Sequence, residues 1–115
     1  MKKLVFILSI FSFLPTMLFA SDAVKGKEKF ETLCASCHGA TGAGDGAIAA
    51  AFPADQKPRN LKTGPFKFAT DEAKFKELLK KGGASVGLSP LMPMQAGLTD
   101  QDIDNVYAYI KSLKN

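Results

Sequence analysis

Cys34-Ala35-Ser36-Cys37-His38 is the stretch on which the reading of this chain turns. Two thiols three positions apart, at the end of a helical turn, can reach the two vinyl groups along one edge of a porphyrin. The histidine that follows then stands beneath the iron, where a neutral imidazole nitrogen is a good axial donor. C-x-x-C-H therefore points to one covalently attached haem c, held through Cys34 and Cys37 with His38 on the iron.

Other uses of the two cysteines fit less well. A thioredoxin-type dithiol calls for a β-α-β pattern of β-branched runs, and none surrounds this motif. A zinc cage needs four ligands, whereas the chain offers two Cys and one His. A disulfide between Cys34 and Cys37 would close a very small loop and leave His38 unexplained.

The sequence upstream of the motif reads as a helix from Asp22 to about Leu33. Gly26, Phe30, Leu33 and Cys34 form its apolar stripe, and charged residues cover the other face. Further upstream, Met1-Lys2-Lys3 precedes an almost uninterrupted apolar run from Leu4 to Phe19, which gives way to Ala20-Ser21-Asp22-Ala23. This is the pattern of a secretory signal, residues 1–20, with a second small-x-small site ending at Ala23. Ser9, Ser12, Pro15 and Thr16 count against a retained membrane anchor.

Cleavage after Ala20 takes 20 of the 115 residues and leaves a 95-residue domain, 21–115, whose own apolar core is thin without a cofactor. It also takes Lys2 and Lys3, so the formal charge of +4 falls to +2. That balance gives no argument for nucleic acid.

Downstream of the motif, Gly39, Gly42, Gly44 and Gly46 cannot continue a regular helix, and predict a tight loop over the haem edge. The loop lacks the Lys and Ser/Thr of a phosphate cradle. Residues 47–52 read as a short helical turn closed by Pro53. Thr70 is the expected N-cap of a helix over 71–81, with Phe75, Leu78 and Leu79 on its buried face. Thr99 caps a last helix with Ile103, Val106, Tyr107 and Ile110 inward. No convincing strand, repeat or linker is present, so the fold class is all-α, with the two terminal helices paired.

His38 is the only histidine, which excludes two imidazoles on one iron within a monomer. Signal removal leaves Met92 and Met94 as the thioethers, both within Ser89-Pro90-Leu91-Met92-Pro93-Met94. One of them is the expected second ligand, because a soft sulfur favours ferrous iron and suits an electron carrier. Pro93 holds Met92 extended and favours it; core packing is the other use of either residue.

Taken together these features resemble the class I c-type cytochromes over nearly the whole mature chain. The likeness rests on Gly26-Lys27-Glu28-Lys29-Phe30 ahead of Cys34–His38, on the pair Met92-Pro93, and on Tyr109-Ile110-Lys111 near the end. It implies a cytochrome c fold of three main helices and short turns around one haem, with Gly26 letting the helix of Val106 and Tyr109 cross closely beside Phe30. It assigns Met92 as the ligand. It also implies a proline carbonyl, from Pro58 or alternatively Pro53, accepting the proton of the His38 ring. Arg59 becomes a candidate partner for a haem propionate, a solvated charge being its other reading. The segment Lys57 to Phe68 departs from the shortest family members.

The function expected is a soluble periplasmic electron carrier, not an enzyme, exchanging single electrons transiently with a terminal oxidase, reductase or dehydrogenase. Lys57, Lys62, Lys67, Lys80 and Lys81 can steer it toward acidic partner surfaces, or serve solubility alone. Two other readings are a haem subunit bound permanently to an exported dehydrogenase or reductase, and a five-coordinate haem binding peroxide or a gas. The last requires that neither methionine bind iron, and the chain has no second histidine for acid–base work.

Overall fold

A close crossing of the first and last helices organises the molecule. The computed structural model describes residues 20–64 and 71–114, together with Ser12 and Pro15. Helix α1 (Ala23–Leu33) begins at Asp22, whose carboxylate accepts from the amides of Val24 and Lys25. A four-residue turn, α2 (Ala35–His38), follows directly, and later come α3 (Glu72–Lys81) and α4 (Asp100–Ser112). Three short 3-10 turns, Ala49–Ala51, Ala54–Gln56 and Ala84–Val86, lie in the connections. There is no strand among the described residues, and no helix among them is long and apolar enough to cross a membrane.

The α1–α4 contact is made by backbone. A Cβ built on Gly26 would overlap the carbonyl of Asn105, so only a residue without a side chain permits this approach. Asn105 is itself buried and accepts from the Asp22 amide at 2.7 Å and from Gln101 Nε2 at 3.0 Å. Its amide thus ties the start of α1 to the middle of α4 without leaving a buried polar group unpaired. Beside this contact Phe30, fully buried, meets Tyr109 edge to face with ring centroids 5.2 Å apart. Asn105 and Tyr109 extend the inward face of α4 beyond the four residues read from periodicity.

Helix α3 packs on α4 through Phe75 and Tyr107, 5.3 Å apart, and through the ion pairs Lys76–Asp104 (2.8 Å) and Lys80–Asp100 (2.6 Å). The expected buried face, Phe75, Leu78 and Leu79, is buried. The helix starts one residue later than expected. Asp71 is the cap and accepts from the Lys74 amide at 3.0 Å, a role for which a carboxylate is at least as suited as a hydroxyl; Thr70 lies outside the described residues. Leu33 also departs from expectation. It is 41% exposed, because the crossing turns only Gly26 and Phe30 of the α1 stripe into the core.

At the start of α4, Thr99 and Asp102 form a reciprocal capping box. The Thr99 backbone amide, the Thr99 hydroxyl and nearby Lys29 hold the Asp102 carboxyl below its usual 3.8. A depressed folded-state value stabilises above the unfolded pKa and is lost as pH falls through the folded one. Asp102→Asn is therefore expected to destabilise by roughly 0.5–1 kcal/mol at pH 7, the gap from wild type closing as urea titrations are repeated toward pH 3. Gly26→Ala should cost about 3 kcal/mol in the same assay, since the α1–α4 backbones must separate to admit the methyl group.

Candidate functional site

The Cys-x-x-Cys-His turn grows out of the end of α1. Cys34 closes α1, its amide bonded to the Phe30 carbonyl, and its own carbonyl accepts from Cys37 and His38 at 3.2 and 2.9 Å. That single turn places both thiols and the imidazole on one wall of a cleft. The cleft is open to solvent at its mouth. Phe30, Leu61, Phe75, Leu79, Val106 and Ile110 give it an apolar floor.

The glycine loop after His38 does not lie over the cleft as expected. None of residues 39–46 lines it. The loop folds behind α2 instead, where the amides of Gly44, Gly46 and Ile48 take up the carbonyls of His38, Cys37 and Ser36 at 2.7, 3.1 and 3.1 Å. A short helix end leaves such carbonyls without partners, and the loop supplies them. Gly39, at φ 83°, makes the reversal possible. Gly44 adopts φ 82°, and a Cβ there would stand 2.7 Å from the Pro58 carbonyl.

This loop in turn fixes the residues that hold the histidine. The Leu61 amide bonds the Gly42 carbonyl at 2.6 Å, and His38 Nδ1 lies 3.0 Å from the backbone carbonyl of Arg59. The acceptor is thus neither Pro58 nor Pro53. Successive carbonyls of extended chain face opposite ways, so that of Pro58 faces Gly44 while that of Arg59 faces the ring. The Pro53 carbonyl is engaged in its own turn by the Gln56 amide at 2.9 Å.

A carbonyl can only accept, so Nδ1 carries the proton and Nε2 keeps its lone pair. Burial lowers the His38 pKa from 6.5 and favours the neutral imidazole, while the Arg59 hydrogen bond opposes part of that shift and orients the ring. Burial, with Cys37 adding to it, pushes the Cys34 thiol up to about 11.

Met92, Pro93, Leu91 and Ser89 line the same cleft from the loop after α3, and Arg59 lines it too. Met92 packs against the core, whereas Met94 lines neither part of the cleft and is 56% exposed. The cleft thus gathers Cys34, Cys37, His38, Arg59 and Met92, with the side chain of Pro58 at its edge. No cluster of three or more His, Cys, Asp or Glu side chains that could cage a metal occurs among the described residues. Two thiols, one proton-bearing imidazole, a thioether and apolar walls form a donor set fitted to a flat, apolar, iron-bearing ring.

A family model for cytochrome c matches residues 23–114. The chain belongs to the cytochrome c family. Cytochrome c-554(547) of Halothiobacillus neapolitanus is 39% identical over 98 residues, which span 83% of this chain and all of that protein. Among solved structures, a chain of the Kuenenia stuttgartiensis reducing HAO-like protein complex matches with a TM-score of 0.68 at 26% identity, over 82% of this chain and 43% of the other. This cytochrome therefore spans less than half the length of that chain. Its cofactor is covalently bound haem c, its chemistry is haem-based electron transfer, and its all-α fold is that of the family.

The Arg59 carbonyl and the Gly44–Pro58 contact could not be found in the sequence, because a backbone acceptor leaves no residue signature. Gly44→Ala is expected to displace residues 58–60 and shift the hyperfine-shifted NMR resonances of the His38 ring. Gly97→Ala, at a glycine with nothing within 4 Å, should leave them unchanged.

Proposed function

We propose that this cytochrome is an exported, periplasmic single-electron carrier, with haem c tethered by Cys34 and Cys37 and ligated by His38 and Met92. The observation that carries the reading is that Met92 lines the cleft with Cys34, Cys37 and His38 while Met94 does not. Bound there, haem c supplies a one-electron iron couple.

The chain's own groups set the terms of that exchange. The Arg59 carbonyl holds the Nδ1 proton and so fixes the plane and raises the basicity of Nε2. The Met92 thioether favours ferrous iron. Apolar walls exclude water, which limits reorganisation around a changing charge. The Arg59 guanidinium, beside the cleft, is the group to meet a propionate.

The route for partners is an opening beside Cys37, lined by Leu33, Ile48, Phe52, Leu91 and Pro93. Of the five large apolar side chains left exposed among the described residues, Leu33, Ile48 and Leu91 stand here. The lysines expected to steer partners are largely engaged elsewhere. Lys80 and Lys81 pair with Asp100 and Glu77, and Lys57 bonds the carbonyls of Ala49 and Ala50; Lys67 lies outside the described residues. Apolar contact, not charge, then governs docking on an oxidase, reductase or dehydrogenase.

A second reading, a haem subunit of a larger complex, draws support from the likeness to a chain of the HAO-like protein complex. Gel filtration of native extract separates the two: elution at the size of the free chain supports the carrier.

In the oxidised protein, Met92→Ala should abolish the weak near-infrared sulfur-to-iron band and Met94→Ala should keep it. Persistence of the band in Met92→Ala overturns the ligand assignment. Electron exchange with a partner oxidase should change less than about threefold between low and physiological salt, whereas Leu91→Asp should slow it at least tenfold.

A further inference from the structure

Ser89 and Gln56 come from different segments of the chain, both line the haem cleft, and they reach each other. The Ser89 hydroxyl donates to Gln56 Oε1 at 3.2 Å, and both side chains line the cleft. From these contacts we propose that the pair is a clasp that holds the Met92 loop closed, making Gln56 and Ser89 positioning residues for the axial sulfur. The inference rests on the reading of Met92 as a ligand.

The argument starts from how the Met92 loop is otherwise attached. The Gly83 amide bonds the Met92 carbonyl at 2.9 Å, the Gln95 amide bonds the Leu79 carbonyl at 2.7 Å, and the Leu88 amide bonds the Gly83 carbonyl at 2.8 Å. All three lead back to the end of α3. They tie the loop, Met92 included, to the end of α3, and none of them links it to the Gln56–Arg59 segment to oppose a swing away from it, the motion that would carry a thioether off an iron.

Ser89 is placed to resist that swing. Its hydroxyl has one proton and spends it on Gln56, while its lone pair accepts from the Leu91 amide at 3.1 Å. The Ser89 carbonyl accepts from the Met92 amide, also at 3.1 Å. One residue thus shapes the turn that carries Met92 and joins that turn to Gln56.

The partner is equally well placed. Gln56 ends the 3-10 turn Ala54–Gln56, and three residues later comes Arg59, whose carbonyl orients His38. The clasp therefore links the segment that sets one axial group to the segment that sets the other. Opening the Met92 loop requires this hydrogen bond to break first. Replacing either partner should raise the population of the open loop about five- to tenfold, the range set by one lost neutral hydrogen bond.

The test follows displacement of the sulfur by potassium cyanide in the oxidised holoprotein at neutral pH, read optically as loss of the near-infrared band. Ser89→Ala and Gln56→Leu are each expected to bind cyanide about five- to tenfold faster than wild type with the band present at the outset. Ser89→Thr should restore the wild-type rate, and the double variant should be no faster than either single one. Wild-type rates in both single variants, or additive effects in the double, overturn the clasp; so does failure of threonine to rescue. Should Ser89→Ala not fold, Gln56→Leu and its pairing with Ser89→Thr carry the test. A wild-type protein lacking the band overturns the Met92 assignment itself, and is thereby told apart from failure of the clasp alone.

Discussion

The approach of Gly26 to the backbone of Asn105 and Val106 sets the position of the helix that leads into the Cys34–His38 turn. Helix α1 runs for eleven residues and passes through Cys34 alone into the turn that ends at His38, so its docking on α4 aims the thiols and the imidazole. The same crossing drives Phe30 into Tyr109 and seats Val106 and Ile110 as cleft floor. A helix pair that elsewhere would only close a core here serves as the mount for a prosthetic group. Its central cavity is left for that group to fill, consistent with the small core available to so short a domain.

Side-chain patterns were readable and backbone partners were not. C-x-x-C-H, the Phe75/Leu78/Leu79 face and the Thr99 cap each depend on residue type at fixed spacing, and each lies where that spacing puts it. Leu33 escaped the pattern because a stripe of period 3.6 is wider than the surface that α4 covers. The glycines mark a loop, and the loop packs behind α2 without lining the cleft. Four glycines announce a reversal of the chain without saying which carbonyls it will satisfy. The His38 acceptor moved from a proline to the next residue for the same reason, since any residue supplies a carbonyl.

Charge is distributed according to structure more than to steering. Lys76, Lys80 and Lys29 reach Asp104, Asp100 and Asp102, all on α4, while Lys27 and Lys81 pair within their own helices. Exposed pairs of this kind each contribute little to stability, about 0–1 kcal/mol. Collectively they neutralise the faces formed by α1, α3 and α4, and leave the Cys37 opening distinguished by its apolar side chains.

The hydrogen bond from His38 to the Arg59 main chain has a consequence for how such a protein changes over generations. An acceptor belonging to the backbone survives replacement of the side chain that carries it, so the orientation of the ring does not depend on which side chain stands at position 59. The vulnerability passes to Gly44 and Gly46, whose missing side chains admit the Pro58 and Ser36 carbonyls. The orientation of the histidine is thus held by what the glycines lack.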